Sequence, residues 1–139
     1  MELSIRRLKE SDWDLLTQMW SSWEWDEHLD KDLLPDNGTG GFIVEKNNEP
    51  IVAGFLYSTN SRLWTIGWPI SNKNYRGADR KEAVELLLKG MENVAKASGC
   101  KALITLASNK TLIETHKKLG WTVDYKTAYE VSKKITQNE

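Results

Sequence analysis

From about residue 79 to 98, Ala83, Val84, Leu87, Leu88, Met91, Val94 and Ala95 recur at helical spacing and share one face. Gly90 inside this run costs about 1 kcal/mol against alanine, yet the period continues through it, and Gly99 suits the residue just past a helix end. The flanks of this helix restrict the topology. Residues 63–70 before it are rich in β-branched and aromatic side chains, and residues 101–107 after it (Lys-Ala-Leu-Ile-Thr-Leu-Ala) read as a buried strand. Strand, long helix, strand is a crossover, which requires the two strands to pair in parallel. The fold class is therefore α/β.

The rest of the chain supplies partners for that unit. Residues 3–7 alternate as a first strand. Ser11 and Asp12 offer an N-cap, and Leu15, Leu16, Met19, Trp20 and Trp23 follow at helical spacing in a helix that fades near Trp25. Residues 26–41 are acidic, contain Pro35 and end in Asn-Gly-Thr-Gly-Gly, a long loop. Strands at 42–46, 51–58 and 63–70 form a meander through turns at 47–50 and 59–61. Pro69 cannot donate to a ladder, so pairing should open there. Ser108 or Asn109 caps a short helix that Gly120 ends, and 121–125 and 128–135 are the last predicted strands. The predicted order is β-α-βββ-α-β-α-ββ: a single domain over 1–139, with one mixed central sheet flanked by helices. No internal repeat or linker interrupts it.

Composition narrows the function classes. Hydrophobic residues are 40% and charged residues 28%, and the 139-residue chain carries a net charge of −1. A coat for nucleic acid or anionic membrane is usually basic, so both partners are unfavoured. Cys100 is the only cysteine, which excludes an intrachain disulfide and a multi-cysteine zinc site and fits a cytoplasmic setting. Residues 1–7 show no apolar signal core, no stretch approaches the roughly 20 apolar residues of a membrane span, and His28 and His116 form no metal cluster. Two local imbalances stand out. Residues 24–36 hold six acids and one base; residues 71–81 hold Lys73, Arg76, Arg80 and Lys81 against Asp79. Each reads either as a solvated face or as a binding surface.

The spacing of Asn109, Ile113, His116, Lys118, Leu119, Gly120 and Trp121 resembles the Asn…Ile…Tyr…Lys-Leu-Gly-Phe segment of the GNAT-type N-acetyltransferase superfamily. The resemblance extends over almost the whole chain through the order of elements. His116 stands where that family usually has tyrosine, and Trp121 replaces phenylalanine. The family's glycine-rich phosphate loop is altered: in Tyr75-Arg76-Gly77-Ala78-Asp79-Arg80-Lys81, Arg76 and Gly77 match, while Asp79 and Lys81 stand at glycine positions.

The resemblance implies acetyl-CoA as acyl donor. A helix start suits pyrophosphate because its first N–H groups are unpaired and lie at the positive end of the dipole, and small residues let the backbone approach. Gly77 and Ala78 keep that property, and Arg76, Arg80 and Lys81 add positive field. Asp79 opposes an anion unless it serves as an N-cap. Ile70 is the family position whose backbone would pair with the pantetheine arm. Asn109 either caps its helix or bonds the coenzyme. His116 is the candidate general acid for the departing thiolate, or else a packing residue on the face it shares with Leu112, Ile113 and Leu119.

The acceptor side would come from the first helix and its loop. Trp20, Trp23 and Trp25 could form an apolar wall and Glu24, Asp26 and Glu27 could attract a cation, which suggests an amine-bearing acceptor, a small molecule or a protein. The competing reading makes these tryptophans core or homodimer contacts. Two functions follow: an acyl-CoA-dependent N-acyltransferase acting on a cationic amine, or a non-catalytic GNAT-fold module that binds or assembles.

Overall fold

The computed structural model describes residues 2–23 and 30–135. Five strands, β1 (Ser4–Arg7), β2 (Gly41–Lys46), β3 (Glu49–Tyr57), β4 (Leu63–Ser71) and β5 (Ala102–Ile104), form one sheet in the order β1-β2-β3-β4-β5. The first four pair antiparallel; β4 and β5 pair in parallel across the crossover helix. Helices α1 (Trp13–Ser21), α2 (Arg80–Ala97) and α3 (Lys110–Lys118) flank the sheet.

Residues 51–56 of β3 are buried without interruption, the mark of a strand covered on both faces. Val52 and Leu56 join Phe42, Val44 and Ile66 in the core under α2, with Ala83, Leu87 and Met91. Ala53 and Phe55 join Ile43 and Ile70 in a second core under α1, with Leu16 and Met19. Trp20 belongs to this second core. It is 2% exposed, stacks on Phe55 at 6.3 Å between ring centroids, and takes the edge of Trp13 at 5.9 Å. The expectation that Trp20 lines a substrate wall is therefore corrected: the sheet beneath α1 claims its apolar area.

Asp12 stands at the N-cap position of α1, but its side chain makes no capping bond to that helix and turns back toward β1. Its carboxylate accepts from both Arg6 guanidinium nitrogens, at 2.8 and 2.9 Å, and from the Lys9 amide at 2.7 Å, while Arg6 also reaches Glu45 at 2.9 Å.

In β4 the ladder shifts register. Between the pairs Phe55↔Gly67 and Ala53↔Ile70, β4 has one more residue than β3. The bulge turns Ile66 toward α2 and Ile70 toward α1, although four residues apart they would otherwise share a face. Trp68 takes a left-handed φ of 54° here, a conformation that costs a non-glycine residue about 1–2 kcal/mol. Pro69, which donates no hydrogen bond, follows it.

Two expectations about the far side of the sheet need correction. The strand expected at 101–107 is paired only over Ala102–Ile104, and Ile104 and Leu106 are exposed rather than buried. After Ile104 the chain leaves β4, and its next residues wall a cleft. Residues 121–135, expected to form two strands, carry no regular structure and pair with nothing described in the sheet.

Candidate active site

The departure of β5 from β4 opens the site. The last paired residues are Thr65 and Ile104. Two hydroxyls pin the fork: Thr65 Oγ1 donates to the Ile104 carbonyl and Thr105 Oγ1 to the Ile66 carbonyl, both at 2.7 Å. Beyond the fork lies a cleft of about 740 Å³. One wall is Ile66, Pro69, Ile70 and Ser71; the other is the run from Thr105 to Asn109. Val84, Leu87 and Leu88 of α2 and Leu112, Thr115 and His116 of α3 line its apolar depth. Ala78, Arg80 and Lys81 bring the N-terminal end of α2 to it.

His116 is 5% exposed. Its Nδ1 lies 2.7 Å from the Leu112 carbonyl, which can only accept, so Nδ1 carries a proton and donates. That leaves Nε2, buried and without a hydrogen-bond partner among the described residues. The Trp121 ring meets the imidazole edge-on at 4.9 Å and fixes its plane. A buried polar atom left unpaired costs about 1–3 kcal/mol, so a ligand group that met it would recover that energy. The sequence pattern left packing and catalysis open for His116. The residue is packed, and it also borders the cleft with one ring nitrogen unspent.

Asp79 is withdrawn from the anion path. Its carboxylate accepts from the Tyr75 hydroxyl at 2.5 Å and from Lys46 Nζ at 2.9 Å, and it makes no side-chain cap. Donation from Tyr75, followed by Lys46, holds the Asp79 carboxyl below the usual carboxylate range, and the same bond pushes the Tyr75 phenol up to about 12. The negative charge at this glycine position is thus neutralised locally. The Tyr75 ring lies against Gly77, where an added Cβ would fall 2.2 Å from the phenol oxygen, so the loop needs glycine for side-chain clearance. Arg80 donates to the Tyr75 carbonyl at 2.7 Å and braces the same turn.

Of the sequence candidates, Ile70, Ala78, Arg80, Lys81, Asn109, His116 and Trp23 converge on the cleft. Arg76, Gly77 and Asp79 do not line it. Arg76 is exposed, while Gly77 and Asp79 are engaged by Tyr75. Asn109 Oδ1 accepts from the Leu112 amide at 3.0 Å, so the residue caps α3 and borders the cleft at once. Trp23 donates from Nε1 to the Ser71 carbonyl at 2.9 Å, tying the end of α1 to the end of β4, and Lys73 Nζ sits 5.2 Å from its ring centroid. Glu24, Trp25, Asp26 and Glu27 lie outside the described residues. Sequence reasoning missed Lys46 and Tyr75 as partners of Asp79, and it missed the wall after β5. The run of small residues Thr105, Ala107 and Ser108 was its only local signal.

No protein-family model matches the sequence, and no curated protein does. Solved structures do. An acetyltransferase from Trypanosoma brucei is 17% identical, with 94% of this chain and 100% of that one covered at a TM-score of 0.67. AAC(6')-Iy, in complex with the bisubstrate analogue CoA-S-monomethyl-acetylneamine, is 13% identical over 96% of this chain and 99% of its own, at 0.69. A predicted acetyltransferase with acetyl-CoA from Clostridium acetobutylicum is 17% identical over 94% and 96%, at 0.64. At these identities the likeness is one of fold, and the fold is that of GNAT-type acetyltransferases.

Proposed function

We propose that this GNAT-fold chain is an acyl-CoA-dependent N-acyltransferase that uses acetyl-CoA and a cationic amine. One observation carries the reading. The strand fork, the N-terminal end of α2 and the unspent His116 Nε2 border a single cleft. The residues fit a coenzyme. Ala78, Arg80 and Lys81 would hold its phosphates, and β4 beyond the fork, Ile70 included, would lie along its arm. Bound there, acetyl-CoA supplies a thioester carbonyl for a neutral amine to attack.

His116 contributes the proton. With Nδ1 held by Leu112, the neutral ring can only accept at Nε2; the cationic ring donates from Nε2 to the departing sulfur. This is the general-acid role that tyrosine fills in the family. For the acceptor, support comes from the acidic residues 24–36, from Trp23 at the cleft, and from the acetylneamine analogue bound by one structural neighbour.

The test joins binding to turnover. Acetyl-CoA should raise the melting temperature by several degrees at saturating concentration. An amine panel should then release free thiol. His116→Gln should lower the coenzyme-bound rate about 10²-fold, within the range for loss of a general acid. Failure of millimolar acetyl-CoA to bind would overturn the assignment; binding with an unchanged rate in His116→Gln would remove the acid from His116.

A further inference from the structure

Asp79 interrupts the run of residues that faces the cleft. Ala78 before it and Arg80 and Lys81 after it line the cleft, and Asp79 does not. Both of its oxygens are taken elsewhere: Oδ1 accepts from the Tyr75 hydroxyl and Oδ2 from Lys46 Nζ. The Asp79 side chain is left 27% exposed. Its two donors come from different parts of the chain. Tyr75 stands four residues upstream in the loop, while Lys46, the last residue of β2, is 33 residues away.

The β2–β3 hairpin holds these donors in place. Lys46 extends from one of its strands. The other strand grips the loop through Asn72, whose amide donates to the Ile51 carbonyl at 2.7 Å and whose Nδ2 donates to the Pro50 carbonyl at 2.8 Å. The Tyr75 amide donates back to the Asn72 carbonyl at 3.1 Å, and its ring is buried in the core under α2. Its phenol, pushed up to about 12 by Asp79, stays protonated at neutral pH and remains a donor.

A carboxylate with no partner at the start of α2 would oppose the field that Arg80 and Lys81 present to an anion, whereas the Lys46–Asp79 pair carries no net charge. The helix start is not the only mark of a ligand here. The same cleft is bordered by His116, 5% exposed, with its unpaired Nε2.

Resting on the coenzyme reading above, we propose that Lys46 and Tyr75 are positioning residues for the coenzyme: they hold the Asp79 carboxylate off the anion path, so that the start of α2 accepts a pyrophosphate with aspartate in a glycine position. Neither residue touches the coenzyme, and both act through Asp79. Coenzyme affinity thereby depends on a strand residue outside the phosphate loop, and the loop and hairpin work as one unit.

Calorimetric titration of the full chain with CoA tests this without turnover. Lys46→Met should weaken CoA by about five- to tenfold, the scale of one partly screened charge acting on a pyrophosphate. Adding Asp79→Asn to Lys46→Met should return affinity to within about twofold of wild type, because the charge that Lys46 answers is then gone. The loss in Lys46→Met should shrink as salt rises from about 0.05 to 0.5 M, which a merely structural role would not show. Tyr75→Phe keeps the ring and loses the donor; it should weaken CoA by a smaller factor of about three, with Asp79→Asn cancelling that loss too. Equal affinity of wild type and Lys46→Met overturns the inference. So does a loss that Asp79→Asn leaves uncorrected or that salt does not diminish, since Lys46 would then act directly on the phosphates or through the fold. A wild-type chain that binds no CoA overturns the coenzyme reading, and this inference with it.

Discussion

Replacing Asp12 by asparagine removes the charge at the point where the sheet meets α1. The Asp12 side chain is 8% exposed and accepts three hydrogen bonds of 2.7–2.9 Å, two from Arg6 and one from the Lys9 amide. Hydrogen bonds to a charged partner are worth about 1.5–3 kcal/mol each. Asparagine keeps one acceptor oxygen, Arg6 keeps Glu45, and the Arg6 side chain is 31% exposed, which weakens the pair by screening. A net loss of about 2–3 kcal/mol remains at neutral pH, or about 10 °C in melting temperature for a domain of this size. The pH dependence has a definite sign. The Arg6 hydrogen bonds, against opposing burial, hold the Asp12 carboxyl below its ordinary range. Its stabilisation is therefore full above the unfolded value of about 3.9 and is lost as pH falls through the lower folded value. Calorimetric melts of wild type and Asp12→Asn from pH 7 to 3 should show a gap that closes on acidification. A gap below about 0.5 kcal/mol at pH 7, or one that keeps its size at pH 3, would refute the electrostatic account.

Gly77→Val places a Cβ inside the space of the Tyr75 phenol. Calorimetric titration should show acetyl-CoA affinity reduced by about tenfold or more, equivalent to about 1.4 kcal/mol, and displacement of the buried Tyr75 ring should also lower the melting temperature of the free protein. Trp20→Phe shrinks a core side chain and should cost about 1–3 kcal/mol in denaturant melts. Coenzyme affinity and acceptor KM should stay unchanged; a stable variant with a raised acceptor KM would return Trp20 to the substrate wall.

Much of the fold could be read locally. The apolar face of α2, the meander, and a cap for α3 at Ser108 or Asn109, which the structure resolves to Asn109, follow from patterns within a few turns of chain, where spacing decides which side chains share a face. The order of strand, helix and strand was enough to require the parallel β4–β5 pair. The site was legible in part: His116, Lys81 and Asn109 carry motif positions, and they meet at the cleft.

What local pattern could not reach was choice between long-range partners. Trp20 and Trp23 are three residues apart, yet the first, in α1, is buried on Phe55 and the second, in the turn after α1, reaches the Ser71 carbonyl. Asp79 looks hostile to an anion in sequence; Lys46, 33 residues earlier, answers its charge only because β2 packs beside the start of α2. The apolar alternation of residues 121–135 pointed to two strands that the structure lacks there, because a strand needs an edge to pair with and no local pattern supplies one. The sequence by itself determined the three helices, the strand meander and which of their faces are apolar. Tertiary structure decided which charges are neutralised, which tryptophans meet the cleft and where the sheet stops, since each depends on contacts between residues far apart in the chain.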